Sequence, residues 1–444
     1  MKFRPPSANL VLLLMLILTC PSFSRGQDPP EGFTSIFNGQ NLDGWYAIET
    51  GNPRVFNELS DAERKTKIEM ARAATAEFWR VENGEIANDG KGPFLTTDRE
   101  YRDFELMIEY KTVARADSGI YLKATPQVQI WDFTDEKKFE NGSDKGSGGL
   151  WNNPKGSAGK DPLVLADKPF GQWNKFRIRQ IGSRTSVWLN DKLVVDHAVM
   201  ENYWGKKSNL PLIARGPIQL QTHGGEIRWR NIFIREIPVD EANQILSVER
   251  NGAKEFETIF NGNNFDGWKG PVDNYEVVDG SVRCKPNKGG TIFTEEQYSD
   301  FVARLEFKLP PGGNNGLAIR YPGQLDTAYF GMCELQVLDD THENFAGKLD
   351  DRQYHGSAYG MVAAHRGYLR PTEEWNFQEV TVKGSNIKVE LNGTVILDCD
   401  LSTAENYLDD KPHPGKDRVT GHFGLAGHGD PVEFRNLQIK KISK

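Results

Sequence analysis

Residues 387–397 read IKVELNGTVIL (Ile387 to Leu397), and their reading decides the fold. Ile387, Val389 and Leu391 alternate with Lys388 and Glu390, the period-two pattern of a half-buried strand. Asn392-Gly393 follows, a dipeptide suited to the left-handed backbone of a tight hairpin turn, and Thr394 to Leu397 leads away as the return strand. The stretch VWLNDKLVV (Val187 to Val195) repeats the device, with Asn190-Asp191 at its turn.

The two hairpins lie inside a longer self-similarity. QWNKFRIRQIGSRTSVWLNDKLVVD (Gln172 to Asp196) answers EWNFQEVTVKGSNIKVELNGTVILD (Glu374 to Asp398). TSIFNGQNLDGW (Thr34 to Trp45) answers TIFNGNNFDGW (Thr258 to Trp268), and YRDFELMIEYK (Tyr101 to Lys111) answers YSDFVARLEFK (Tyr298 to Lys308). DSGIYLK (Asp117 to Lys123) answers NNGLAIR (Asn314 to Arg320), and QVQIWD (Gln127 to Asp132) answers ELQVLD (Glu334 to Asp339). The matches close with GPIQLQTHGGEIRWRNIFIREI (Gly216 to Ile237) against GHFGLAGHGDPVEFRNLQIKKI (Gly421 to Ile442). Their order is collinear, so the chain is a tandem duplication of a domain near two hundred residues, far longer than a solenoid unit. Many short strands joined by Gly-rich turns predict two all-β sandwiches. One segment breaks the symmetry. Val55 to Phe78, rich in Glu, Lys, Arg and Ala, predicts a helical insertion in the first copy, with Ser60 or Asp61 as N-cap. The expected division is a signal peptide over 1–26, copy 1 over 27–238, a polar linker over 239–253 with a short helix around Asp240 to Leu246, and copy 2 over 254–444.

A length of 444 residues suits two cores. The net charge of −8 argues against nucleic acid or an anionic membrane as the main partner, since either requires a basic face. Lys2 and Arg4 precede an apolar run, Leu10 to Leu18, too short for an ordinary span, with small residues around Ser22 to Gly26 for cleavage. The expected location is outside the cytoplasm, periplasmic or extracellular, with no transmembrane span after cleavage. Acylation at Cys20 ranks below simple cleavage because Thr19 is bulkier than the usual preceding residue. Cys284, Cys333 and Cys399 remain, permitting at most one intrachain disulfide.

The IFNG…DGW opening, the SGI strand ending in a base, the E-x-Q-x-x-D strand, the W-N and L-N-G hairpin and the closing G-x-x-x-L-x-x-H-G…F-R-N set together resemble the 3-keto-disaccharide hydrolase domain family, over almost all of both copies. The resemblance implies a concanavalin-like jelly-roll sandwich with its site on the concave sheet. It also implies hydrolysis of glycosides already oxidised to a ketone at C3. Such a ketone acidifies the C2 hydrogen. A base removes that proton, the aglycone leaves from C1, and water adds afterwards. The site needs a base, a donor near the enolate oxygen and an acid near the leaving group.

Alternation places Cys333, Leu335 and Val337 in the core and Glu334 and Gln336 on the opposite, groove-facing side. Asp339 ends that strand. Phe423 and Leu425 read as core, while Gly424, Ala426 and His428 share the other side, and His223 stands at the equivalent place in the first copy. The catalytic candidates are Glu334, His428 and Asp339, with Arg320 as the cation for an enolate oxygen. Gln336, His355, Tyr359 and Trp375 are candidate sugar contacts. Lys123, Gln129, Asp132, Trp151 and His223 are their first-copy analogues. Gln127 replaces Glu334 in the first copy, and an amide cannot act as a base. That copy therefore binds without cleaving or uses another acid, Asp117 or Asp132. Glu334, Asp339, His355 and His428 together offer O and N ligands that suit a divalent metal, but no compact spacing requires one, and the cofactor stays open. The rival readings are a lectin-like binding pair and a structural envelope protein, because a sandwich does not fix function.

Overall fold

The computed structural model describes residues 1, 27–206, 209–248 and 255–442. The leader reading, Cys20 included, lies outside the described residues. The chain forms four antiparallel sheets paired into two sandwiches, two concanavalin-like jelly rolls in tandem.

The sheets match strand for strand. In the first copy a five-stranded sheet runs Trp45–Ile48, Phe94–Tyr101, Gly216–Leu220, Ser118–Leu122, Thr125–Ile130. The second repeats it as Trp268–Lys269, Gly290–Tyr298, Gly421–Gly427, Asn314–Tyr321, Cys333–Leu338. The partner sheets have eight strands each, centred on Phe104–Thr112 and Phe301–Lys308. The hairpin read from Ile387 to Leu397 forms as Asn386–Leu391 and Thr394–Asp400, with Val389 opposite Leu397. Each sandwich has its own core. Cys333, Leu335, Val337, Phe423 and Leu425 join the second, as alternation predicts. Cys284, Cys333 and Cys399 are all unpaired thiols.

The insertion folds as α1 (Pro53–Asn57) and α2 (Asp61–Ala74). Ser60 caps α2, and Glu63 reaches back to complete a capping box. No residue of α2 is buried. The helices instead stand over one end of the five-stranded sheet and roof a cavity of about 840 Å³, with Phe56, Leu59 and Ile68 above and Tyr46, Thr96 and Gln219 below.

At the join between the copies the short helix expected around Asp240 to Leu246 forms, and it is packed against both copies. The helix α3 (Val239–Val248) buries Ala242, Asn243, Ile245 and Leu246, an i, i+3, i+4 stripe. Ile245 and Leu246 cluster with Ile181 and Ile237 of the first copy and Phe377 of the second, so the segment is a wedge. Beside it two hairpin turns touch. Ser183 N donates to Gly393 O at 3.1 Å, and a Cβ at Gly182 (φ 56°) would collide with the Asn392 carbonyl. Asn392, in an N-x-S/T triplet, is buried there and donates to Tyr368 O and Asn376 Oδ1. Arg184 of the first copy meets Glu390 of the second in a bidentate pair, with Nε to Oε1 at 3.0 Å and side chains 16% and 1% exposed.

Removing one partner of such a buried pair leaves the other charge without its counter-ion. Glu390→Ala is expected to lower unfolding stability by about 3–5 kcal/mol. Calorimetric or urea unfolding of the full chain checks this, and an unchanged transition would show that the pair does not tie the two copies.

Candidate active site

The strand Cys333–Leu338 is buried along its whole length, so its polar residues face protein on the open side of the five-stranded sheet as well. Glu334 and Gln336 stand on that side. The neighbouring strand presents Gly316 opposite Gln336 and Ala318 opposite Glu334, and the next presents Gly424 opposite Ala318. Gly316 is required: a Cβ there would collide with the Glu334 carboxyl group. Small residues thus clear a floor, and His428 reaches in from the end of Gly421–Gly427. Its Nε2 lies 3.3 Å from Glu334 Oε1. The hydrogen bond that Glu334 accepts raises the His428 pKa above the ordinary value, and the charges of Glu334, Asp430 and Asp326 add to it against a burial cost. The imidazole side chain is 46% exposed, open to a ligand.

Gln336 Nε2 donates to Asn314 Oδ1 at 2.8 Å, which places Asn314 in the same row. Tyr359 sits beside Glu334, its backbone N donating to Glu334 O at 2.9 Å and its hydroxyl accepting from Gln353 at 3.1 Å. Burial raises its pKa. The short helix α4 (Thr327–Phe330) adds a ring that sequence reasoning missed, Tyr329, half-buried with Lys411 Nζ 3.4 Å from its centroid. Asn314 was also missed. Its signal was its place two residues before Gly316, on the same face of the strand.

Six expectations are corrected. Arg320 does not face the site. Pairing slips between Ala318 and Tyr321, and Arg320 takes a left-handed backbone (φ 46°). This bulge turns the side chain inward, where it is 2% exposed and donates to the carbonyls of Ser299, Gly384 and Arg418. Lys123 (φ 53°) also points inward in the first copy, from the two-residue turn between Ser118–Leu122 and Thr125–Ile130; it donates to Gly182 O at 2.9 Å, and burial pulls its pKa down to about 8. His355 lies in the core against Phe307, and burial lowers its pKa to about 3. Trp375 stands on the eight-stranded sheet under Arg435 and Lys308, away from the groove. Asp339 and Asp132 lock turns. Burial would raise Asp339, but bonds from Gly312 N and the Thr341 hydroxyl and N outweigh it and hold the carboxyl low. Asp132 likewise accepts from Arg115 N and Thr134.

The first copy keeps the row but moves the acid. Gln127 donates to Gln129, and Gln129 Nε2 donates to Asp117 Oδ1 at 2.9 Å. Asp117 occupies the position of Asn314, and its Oδ2 lies 3.1 Å from His223 Nδ1 and 2.6 Å from Lys138 Nζ. Trp151 takes the place of Tyr359, its N donating to Gln127 O at 3.1 Å. Tyr121, Gln219 and Gln221 replace Ala318, Gly424 and Ala426, so this floor is fuller. Among the described residues no group of three or more His, Cys, Asp or Glu is placed to hold a metal.

Comparison with known proteins accords with the duplication. The model of the 3-keto-alpha-glucoside-1,2-lyase-like domain matches residues 32–235 and 255–440, and the chain belongs to that family in both copies. It is a family of carbohydrate-active, hydrolase-type proteins. A 3-keto-disaccharide hydrolase of Bacteroides thetaiotaomicron is 26% identical over 239 residues, 44% of this chain and 81% of that protein. Two crystal structures of candidate glycosyl hydrolases from Parabacteroides distasonis are similar at 25% and 26% identity, each with a TM-score of 0.39. They cover 42% and 43% of this chain, and 99% and 95% of their own.

The dyad depends on the space at Gly316. Gly316→Ala is expected to displace Glu334, cost about 1–3 kcal/mol by overpacking, and let the His428 pKa fall toward the usual ~6.5. Histidine titration by NMR checks this. A His428 pKa that stays raised would show that the glycine is not what admits the carboxylate.

Proposed function

We propose that the second copy cleaves glycosidic bonds of 3-keto-glycosides, 3-keto-disaccharides among them, outside the cytoplasm. The observation that carries this is the Glu334–His428 pair on the open side of the sheet, in a chain of this family. No described residue donates to Glu334 Oε2, so that oxygen is free to take a proton. The ionised Glu334 removes the C2 hydrogen, and the C–H electron pair enters the ring as the C3 oxygen gains charge. Collapse forms a C1–C2 double bond and expels the aglycone oxygen, which takes a proton from the imidazolium of His428. Water then adds across the double bond and yields the free 3-keto sugar. Asn314 and Gln336 supply amide contacts to sugar oxygens, and Tyr359 supplies a ring face. Export is supported by Lys2 and Arg4 ahead of the apolar Leu10 to Leu18. In the described residues no helix is long and apolar enough to cross a membrane.

Incubation with a 3-keto-disaccharide beside its unoxidised parent, reading free sugar, tests the reading. Only the oxidised sugar should be cleaved. Glu334→Gln is expected to slow cleavage about 10²–10⁴-fold while the protein stays folded. Saturable binding without turnover would favour the lectin-like alternative.

The pH profile follows from the sign of the His428 shift. The acid form of His428 is favoured in the folded protein, so its contribution to stability and to leaving-group protonation is fully present below the unfolded pKa of ~6.5 and is lost as pH rises through the raised value. A descending alkaline limb is expected in kcat/KM, and His428→Gln should abolish the limb along with most activity. A wild-type rate flat across that range would remove His428 as the acid.

A further inference from the structure

We propose that the first copy holds a second acid–base site, made of Asp117, His223 and Lys138, in which His223 takes a proton from the carbon beside the ketone of a 3-keto sugar. The substrate class rests on the reading above; the site itself rests on geometry in the other sandwich.

The duplication makes the exchange of side chains visible. Where the second copy has Glu334 and Asn314, the first has Gln127 and Asp117, so the acid and the amide have traded strands. Simple loss of the acid would have left His223 alone. Instead the carboxylate has moved one strand over and still meets the imidazole, with His223 Nδ1 at 3.1 Å from Asp117 Oδ2.

The two pairs are wired in opposite senses. Asp117 is 7% exposed, and both its oxygens are engaged, Oδ2 by His223 and by Lys138 at 2.6 Å, Oδ1 by Gln129 at 2.9 Å. Burial would raise its pKa, but those bonds from His223 and Lys138 outweigh it and hold it low. A carboxylate so engaged orients its neighbour and does not itself collect a proton. His223 uses Nδ1 for that bond, where His428 uses Nε2. Its Nε2 therefore remains, with no partner among the described residues, on a side chain 61% exposed. The arrangement is that of a base aimed by a buried acid. Lys138, 5.5 Å above the Trp131 ring, keeps further N–H donors beside the dyad. It can supply the cation for a developing enolate oxygen, the role that the inward-turned Lys123 and Arg320 do not fill.

The step balances without a co-reactant. His223 Nε2 takes the proton from the α carbon, the C–H pair forms the enolate double bond, and the carbonyl π pair moves onto oxygen against the Lys138 ammonium. The exposed imidazolium trades that proton for a solvent deuteron and delivers it to the same carbon, so in D₂O the net result is exchange of hydrogen for deuterium there.

The test uses full-length protein carrying Glu334→Gln, with 3-keto-glucose in D₂O, and follows loss of the α-proton signals by NMR. Exchange is expected to exceed that of Glu334→Gln/His223→Gln by at least ~10²-fold. It should rise with pH as His223 loses its proton, the charged groups acting on it being Asp117 and Lys138. Asp117→Asn, nearly isosteric, should slow it and move the midpoint down, since the carboxylate holds the imidazole pKa up. His223 is exposed, so its replacement leaves the fold intact, which circular dichroism verifies. Equal exchange with and without His223, or a rate and midpoint unmoved by Asp117→Asn, would overturn the proposal. Wild-type cleavage of a 3-keto-disaccharide is read in parallel. Absent cleavage with intact His223-dependent exchange sinks the reading of the second copy alone, and the reverse result sinks this one.

Discussion

A strand buried on both faces has no water to accept its polar side chains, and Cys333–Leu338 is such a strand. Its core face is filled by Cys333, Leu335 and Val337, which pack between the sheets. Its other face carries a carboxylate and an amide. These persist only because neighbouring strands offer them partners and room: His428 from one side, Asn314 for Gln336, and the missing Cβ of Gly316. The same requirement that keeps the strand stable therefore produces a carboxylate beside an imidazole with one oxygen left unbonded. Stability and chemistry share one row of side chains.

The first copy meets the same constraint with a different set. Its strand Thr125–Ile130 is equally buried, and there Gln127 and Gln129 bond to each other and pass the row on to Asp117. A neutral amide at 127 removes the need for a charge partner on that strand. The charge reappears at Asp117, at the sheet's end, where Lys138 can reach it. Two copies with one fold thus hold an equally buried charge at different places in the row. This is why the family and the strand order, shared by both halves, do not by themselves assign chemistry to either half.

Much of this was legible in the sequence, because period-two alternation reports directly which side of a strand a residue faces. Ile387 to Leu397, the core triplet of Cys333–Leu338 and the joint placement of Glu334 and His428 all follow from it. So do the two copies, since collinear matches need no structure. Alternation failed where the strand itself is irregular. Arg320 sits on a bulge and Lys123 in the two-residue turn between its strands, both with positive φ, and one such residue reverses the side that counting assigns. It also says nothing of loops. His355 comes from a loop that folds into the core, and Trp375 begins a strand of the other sheet, so neither faced the groove. In the linker the helix was legible but its packing was not. Asp240, Glu241 and Gln244 make 239–248 look polar, but a helical period puts Ala242, Ile245 and Leu246 on one buried stripe.

The floors of the two grooves differ in height. Ala318, Gly424 and Ala426 leave the second sheet low in front of His428, so a sugar ring can lie close to the strands and to the buried Glu334. Tyr121, Gln219 and Gln221 raise the first floor, and Phe94 braces Tyr121 edge-on with centroids 5.0 Å apart. A ring held higher there would not reach Gln127. It would meet the rim, where His223 is most exposed and Lys138 stands. At the far end of the same sheet α1 and α2 enclose the apolar-roofed cavity that the second copy lacks. The acid has moved toward the rim in the copy whose floor is filled and stays in the strand where the floor is open. In each groove the depth of the floor matches the position of the charge.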